Sequence, residues 1–287
     1  MNELDLRSRL LMGVLRATPR HALTRVVGQA AGWTEPRALA RLAIRGFARR
    51  YALNLDEASL PIESYDSVRA LFTRALRAGT RTIAPGDQLA VSPVDGRVSA
   101  MGLSEGGELL QIKGVRYSLR ALVADELLAQ ALSGGPYATL YLAPQDYHRV
   151  HASLAGKLKS VTYIPGELWP VNPVSVASVP GLFALNERLV FDFETVMGRC
   201  ALVMVGATIV GRLRATLGGV EPFQMRPRRL ERRVLEGGGL EVAKGEQIGI
   251  FDMGSTVVVC FAPGRVRLKP MAVGERVWLG QPIADDP

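Results

Sequence analysis

The chain has 287 residues, 48% of them hydrophobic and 22% charged, so it can bury a sizeable core in one large domain or two small ones. Its two cysteines, Cys200 and Cys260, lie in apolar surroundings without CxxC spacing. We interpret them as buried thiols in a reducing compartment, which excludes a disulfide framework and a cysteine metal site. No run of about eighteen uncharged apolar residues predicts a transmembrane helix. Arg7, Arg9 and Arg16 interrupt the apolar core that a secretory signal would need.

Most of the net charge lies in residues 1–51. This segment carries ten arginines against three acidic residues, which is +7 of the chain's formal +8. Its apolar residues recur at helical spacing, namely Leu6, Leu10, Leu11, Val14, Leu15, Leu39, Leu42, Ala43 and Phe47. Basic amphipathic helices of this kind suit an anionic membrane surface, and the same spacing equally fits helices packed on the domain core. Nucleic-acid binding is not indicated, because no nucleic-acid motif or interleaved aromatic residues accompany the arginines.

The remainder, residues 52–287, predicts a largely antiparallel β core, so the chain is expected to be an α+β protein with amino-terminal amphipathic helices. Helices are predicted over residues 67–78, ended by Gly79, and over residues 118–132, ended by a Ser-Gly-Gly-Pro turn. Short β-rich runs separated by glycine and proline are predicted at residues 137–142, 158–164, 189–193, 200–210, 247–251, 256–261 and 266–269.

A faint internal repeat relates residues 244–249 (KGEQIG) to residues 273–277 (VGERV). Paired β halves with Gly-Glu turns are typical of lipoyl and biotinyl carrier domains, so the repeat indicates a barrel-sandwich-like portion in the β core. A carrier needs an exposed lysine in its central hairpin, where this chain has Gly254 and Ser255. A carrier module is therefore an alternative from a different functional class.

Residues 253–256 (MGST) are predicted to form a turn between two strands. Gly254 has no side chain to block an approaching hydroxyl, so the Ser255 oxygen can reach the preceding carbonyl and form an ester. Elimination would then release a new amino terminus and turn Ser255 into a pyruvoyl group. For this motif alone an ordinary structural turn is the alternative, because Gly-Ser turns beside strands are common.

Asp95, His148 and His151 are the other candidates for chemistry. The histidines are two of only three in the chain, and Asp95 precedes a glycine, as turn-forming aspartates often do. Histidines spaced in this way can form half of a metal site, but no third histidine or cysteine lies close by in sequence. Asp95, His151 and Ser255 could also form a serine hydrolase triad, although the Gly-x-Ser-x-Gly motif is missing. Tyr147 is predicted to be a core aromatic residue.

Residues 92–98 (SPVDGRV), 144–151 (PQDYHRVH) and 254–256 (GST) together resemble the phosphatidylserine decarboxylases, the pyruvoyl-dependent enzymes that make phosphatidylethanolamine. The resemblance continues at residues 163–168, 179–188, 205–211 and 261–264. It follows the family's order and spacing over nearly the whole chain, so it is more specific than any single motif. Met253 departs from the family's usual leucine, which has a similar volume.

The resemblance implies a role for each candidate residue. Asp95 would orient and charge-stabilise His151, and His151 would take the proton from Ser255 as its hydroxyl attacks the Gly254 carbonyl. Cleavage would leave a β chain, 1–254, and an α chain, 255–287, whose pyruvoyl group forms a Schiff base with the substrate amine and accepts the electrons released with CO2. His148 would protonate the resulting carbanion.

The resemblance also implies the partners. The substrate would be phosphatidylserine, and the α and β chains of one precursor would stay together. The chain would attach peripherally to an anionic membrane, at the cytoplasmic face of the bacterial inner membrane, through residues 1–51. Residues 52–287 would form the catalytic domain, without a metal or nucleic acid, and a homodimer is compatible with the sequence.

Overall fold

The computed structural model describes residues 12–13, 17–111, 115–208, 212–217, 229–253 and 255–287. Gly254 lies outside these ranges, as do the predicted apolar helix positions Leu6, Leu10, Leu11, Val14 and Leu15. The helices are α1 (Arg20–Ala31), α2 (Arg37–Arg50), α3 (Val68–Phe72), α4 (Leu119–Val123), α5 (Glu126–Leu132), α6 (Pro173–Ser178) and α7 (Leu182–Leu185), with a 3₁₀ turn at Ile62–Ser64.

The described residues also form seventeen strands. They are β1 (Leu89–Val91), β2 (Gly96–Leu103), β3 (Glu108–Leu110), β4 (Arg116–Ser118), β5 (Pro136–Leu142), β6 (Arg149–His151), β7 (Gly156–Ile164), β8 (Arg188–Thr195), β9 (Gly198–Val205), β10 (Leu213–Ala215), β11 (Glu231–Val234), β12 (Leu240–Val242), β13 (Gln247–Phe251), β14 (Ser255–Phe261), β15 (Arg267–Leu268), β16 (Arg276–Val277) and β17 (Pro282–Asp285).

The largest sheet has nine strands in the order β11-β7-β8-β9-β14-β5-β2-β16, with β12 also paired to β7. All of its pairings are antiparallel, which confirms the predicted α+β class with a largely antiparallel core. Smaller sheets follow the orders β1-β17-β15, β10-β13-β6 and β3-β4. None of these paths closes into a barrel within the part of the chain that the structure describes.

Strand β14 is central in this sheet because its sequence is apolar on both faces. Val257, Val258 and Val259 are fully buried between β5 and β9. Burying a side chain of this size contributes about 1.5–3 kcal/mol, so the strand is firmly held. The backbone of Ser255, which starts this strand, is therefore anchored to the core of the protein.

The two helices predicted within residues 52–287 are shorter in the structure than expected. The helix predicted over 67–78 starts as predicted, where the Ser67 hydroxyl accepts a hydrogen bond from the Ala70 N–H, but it ends at Phe72. Beyond it, the backbone of residues 75–77 bonds instead to residues 57–59. The helix predicted over 118–132 breaks at Ala124, which is left-handed (φ 52°), and a second helix begins after the Asp125 cap.

Helix α2 packs through one face against residues 53–71. Ala40, Ile44 and Ala48 are its buried residues, and the last two share a small core with Tyr65 and Leu71. These buried positions are four residues apart, which is one stripe of a helix. Phe47 is half-buried and also packs against this core, whereas Leu39 and Leu42 are exposed.

Candidate active site

The Gly-Ser sequence lies where the chain passes from one sheet to another. Strand β13 belongs to the small sheet with β6 and β10, whereas β14 lies in the large sheet, and residues 252–254 join them. Asp252 is buried, and its carboxylate accepts a hydrogen bond from Arg214 Nε at 2.9 Å. On the other side of the turn, Ser255 is paired with Leu142 of β5. The chain is therefore held in place on both sides of residue 254.

His148 lies at the end of β13 that leads into this turn. Its carbonyl accepts a hydrogen bond from the N–H of Phe251, the last residue of β13, at 3.0 Å. His151 pairs with Gln247 at the opposite end of the same strand. Four residues of strand span about 13 Å, so the register places His148 much nearer the turn than His151.

The His148 side chain is fully buried, and one of its two ring nitrogens has no hydrogen-bond partner among the described residues. Its ring lies 3.9 Å from the Phe72 ring, centroid to centroid, and its Nδ1 lies 2.9 Å from the Asp146 carbonyl oxygen. Because a carbonyl only accepts hydrogen bonds, Nδ1 carries the proton and Nε2 is the basic nitrogen. Nε2 has no partner among the described residues. Burial, together with the charge of Arg74, lowers the pKa of His148 to about 3, so the ring is neutral.

His151 has partners at both ring nitrogens. Its Nδ1 donates to the Gly245 carbonyl at 2.8 Å, and its Nε2 lies 3.1 Å from the Tyr147 hydroxyl. Burial raises the pKa of Tyr147 to about 12, so this hydroxyl stays protonated and donates a hydrogen bond to Nε2. Burial also lowers the pKa of His151, although the Gly245 hydrogen bond and the Asp95 charge act in the opposite direction.

Asp95 is almost completely buried and is held by groups other than His151. Arg81 donates to its carboxylate from Nε at 3.0 Å and from Nη2 at 2.6 Å, and the Leu279 N–H donates at 2.8 Å. Asp95 and His151 nevertheless lie on adjacent segments, because the His151 N–H donates to the Pro93 carbonyl at 2.9 Å. The interaction of Asp95 with His151 in this structure is therefore one of charge and not a direct hydrogen bond.

These contacts do not assemble the serine hydrolase alternative. A triad requires the histidine to bond both the carboxylate and the serine, whereas Asp95 bonds Arg81 and His151 bonds Tyr147 and Gly245.

An apolar cavity of about 230 Å³ adjoins the turn. Phe72, which contacts the His148 ring, and Leu142, which pairs with Ser255, line this cavity. Met253, the residue before the Gly-Ser bond, also lines it. Phe47 at the end of α2 lines its other side. The cavity therefore extends from Met253 to the carboxyl-terminal part of α2.

Several contacts of the site had no signal in the sequence. Phe72 and Arg81 are ordinary apolar and basic residues that meet His148 and Asp95 only through the tertiary fold. Tyr147 is buried, as expected of a core aromatic residue, but its hydroxyl also reaches His151, and the spacing of four residues could have suggested that contact. No group of three or more potential metal ligands occurs in the described ranges.

Comparison with known proteins agrees with the motifs. The model of the phosphatidylserine decarboxylase family matches residues 68–285. A phosphatidylserine decarboxylase proenzyme of Anaeromyxobacter sp. (strain K) is 49% identical over 276 residues, which are 96% of this chain and 98% of the relative. Proenzymes of Myxococcus xanthus and Marinobacter nauticus are 43% and 40% identical over 89% and 92% of this chain, and 90% and 93% of their own lengths. The chain belongs to the phosphatidylserine decarboxylase family.

Proposed function

We propose that the chain is a proenzyme that cuts itself between Gly254 and Ser255 and then converts phosphatidylserine to phosphatidylethanolamine and CO2. Family membership makes it a decarboxylase, and the names of its relatives as proenzymes support a precursor that gives an α and a β chain. The observation that carries the proposal is the position of Ser255, which starts the central strand β14 directly after a turn beside His148.

Residue 255 is suited to become a pyruvoyl group. Asp252 before it is held by Arg214, and the cavity beside it is lined by Leu142 and Met253. The His148 backbone bonds Phe251, and its Nε2 has no partner among the described residues. The pyruvoyl group supplies the carbonyl that binds the substrate amine and draws off the electrons of the departing carboxylate. The apolar wall of the cavity excludes water from that carboxylate, and loss of CO2 leaves no charge behind to be solvated.

In this proposal His148 handles the proton of the decarboxylation. The ring is neutral before substrate binds, because burial and Arg74 disfavour its charged form. A substrate carboxylate beside Nε2 would favour the protonated ring, since an opposite charge stabilises it. The proton held there is then positioned for transfer to the substrate carbon after CO2 has left.

For self-cleavage we assign the base to His151 and its charge partner to Asp95. The Gly245 carbonyl fixes the proton on Nδ1, so Nε2 is the basic nitrogen, and it would exchange the Tyr147 hydroxyl, its partner in this structure, for the Ser255 hydroxyl. The negative charge of Asp95 would stabilise the protonated ring, as its effect on the pKa of His151 indicates. The support for this role is the match of residues 92–98 and 144–151 to the family.

We further propose that residues 1–51 attach the catalytic domain, residues 52–287, to the cytoplasmic face of an anionic bacterial inner membrane. Leu39 and Leu42 of α2 are 52% and 68% exposed, and Val26 and Trp33 near α1 are 62% and 58% exposed. Exposed apolar side chains among arginines favour a membrane surface over packing on the core. No helix within the described ranges is long and apolar enough to cross a bilayer.

The test is an activity assay on matched variants. Purified wild type and Ser59→Ala, which changes an exposed serine, should release CO2 from phosphatidylserine vesicles and form phosphatidylethanolamine. Ser255→Ala should do neither. Full decarboxylation by Ser255→Ala would overturn the proposal, because the variant cannot form a pyruvoyl group.

A further inference from the structure

A second, charged cavity of about 140 Å³ lies next to the apolar cavity. Three short stretches of chain line both cavities. In each stretch one residue lines the apolar cavity and another lines the charged cavity, namely Tyr51 and Ala52, Phe72 and Arg74, and Pro144 and Gln145. Three arginines line the charged cavity, namely Arg74, Arg81 and Arg276.

The carboxylates that line this cavity are already paired. Arg81 bonds both Asp95 and Glu57, at 2.6 and 2.8 Å. Asp146 accepts from Arg276 Nη2 at 2.8 Å and from the Ala143 N–H at 2.7 Å. Arg74 is therefore the arginine of the cavity without a carboxylate partner among the described residues.

Arg74 is also the most deeply buried of the three. It is 4% exposed, and its Nη2 donates to the Gln145 carbonyl at 2.9 Å. Its Nε and Nη1 are buried without a partner among the residues that the structure describes, and so is Nε of Arg276. Burial lowers the pKa of Arg74, which reflects the cost of this charge. Buried polar atoms in native proteins are nearly always paired, so unpaired ones indicate a ligand or water.

The chemistry of the unpaired atoms selects the ligand. All three nitrogens belong to guanidinium groups, which donate hydrogen bonds and never accept them. A ligand bound by these three nitrogens must present acceptor atoms, and a negative charge on it would offset the buried charge of Arg74. The Trp278 ring lies 4.5 Å from the Arg81 guanidinium and 4.2 Å from that of Arg276, which holds both arginines at the cavity wall.

We propose that this cavity binds a phosphate oxyanion through Arg74 and Arg276. Guanidinium groups match phosphate because several N–H donors can bond two oxygens at once. The phosphate is either the phosphodiester of a lipid headgroup whose serine part reaches into the adjoining cavity, or free inorganic phosphate. The headgroup source rests on the proposed function, whereas the free anion does not.

The first arm of the test measures thermal unfolding of the full-length Ser255→Ala chain, with inorganic phosphate or with chloride at the same ionic strength. Phosphate should raise the Tm in a saturable way, because a ligand that binds only the folded state stabilises it. Arg74→Met should lose this rise. Arg77→Met is the matched control, because Arg77 is exposed three residues further along the same segment. If Arg74→Met does not fold, Arg276→Gln takes its place.

The second arm measures turnover of a soluble short-chain phosphatidylserine by the mature enzyme, with wild-type activity scored first. If the headgroup is the source, Arg74→Met or Arg276→Gln should raise KM about tenfold to a hundredfold over Arg77→Met, and phosphate should compete. If free phosphate is the source, KM should stay unchanged while the phosphate effect on Tm is lost. The inference is overturned if the wild type is active, its Tm does not respond to phosphate, and the arginine variants keep its KM. Water would then be the occupant of the cavity.

Discussion

Replacing His148 by asparagine should make the folded precursor more resistant to acid. His148 is fully buried, and its pKa is about 3 in the folded protein, against about 6.5 for a histidine in an unfolded chain. Between these two values the unfolded chain binds a proton that the folded chain does not. The depressed pKa therefore makes the folded state less stable as the pH falls below about 6.5.

The size of the effect follows from the same values. Each pH unit below the unfolded pKa costs about 1.4 kcal/mol, so going from pH 7 to pH 5 should cost about 2 kcal/mol through His148. His148→Asn keeps an N–H donor that can bond the Asp146 carbonyl but takes up no proton. Its stability should fall by about 2 kcal/mol less than that of its parent over this interval.

The assay is urea unfolding at pH 7 and pH 5 of the uncut Ser255→Ala precursor, with and without His148→Asn. Contributions from all other titrating groups cancel in the comparison. His21→Asn, which makes the same change at an exposed histidine, is the matched control. An identical loss of stability in His148→Asn and its parent would refute the conclusion that His148 is buried as a neutral ring.

Three further predictions concern the site and the helices. His151→Ala and Asp95→Ala should leave the chain uncut on a denaturing gel, whereas His148→Ala should still cut but turn over about 10² to 10⁴ times more slowly; the reverse pattern would exchange the histidine roles. Arg81→Met should lower the free energy of unfolding by about 3–5 kcal/mol, because it leaves the buried Asp95 charge unpaired; a loss below 1 kcal/mol would contradict that. The uncut precursor should sediment with anionic liposomes, because each basic residue near the surface contributes about 1 kcal/mol of electrostatic attraction. High salt should weaken this binding by screening the charges, and Leu42→Ser should weaken it further by removing an exposed apolar side chain. Binding that ignores lipid charge, salt and Leu42 would instead favour helices that simply pack on the core.

The sequence predicted the parts of the fold that depend on local pattern. The apolar run of Val257 to Val259 is recognisable without a structure, because a buried strand has a local signature. The predicted Gly-Ser turn includes Gly254 and so lies partly outside the described residues. The helix predicted over 67–78 was wrong beyond Phe72 because Ala75 and Arg77 bond to a distant segment, and long-range pairing overrides local propensity.

The same limit explains what the sequence revealed of the site. His148 and Asp95 could be selected from their motifs, but the Phe72 ring and the Arg81 guanidinium that surround them arrive from other segments. The periodicity of α2 could not decide which apolar residues face the core. The structure assigns that face to Ala40, Ile44 and Ala48 and leaves Leu39 and Leu42 exposed.

The most direct test of the central claim is the intact mass of the purified protein. Wild type should give two fragments, residues 1–254 and residues 255–287, with the smaller one lighter by one ammonia than the corresponding peptide because a ketone replaces its amine. Ser255→Ala should give one uncut chain, and Ser59→Ala should behave as wild type. A single intact wild-type chain with full decarboxylase activity would contradict the account.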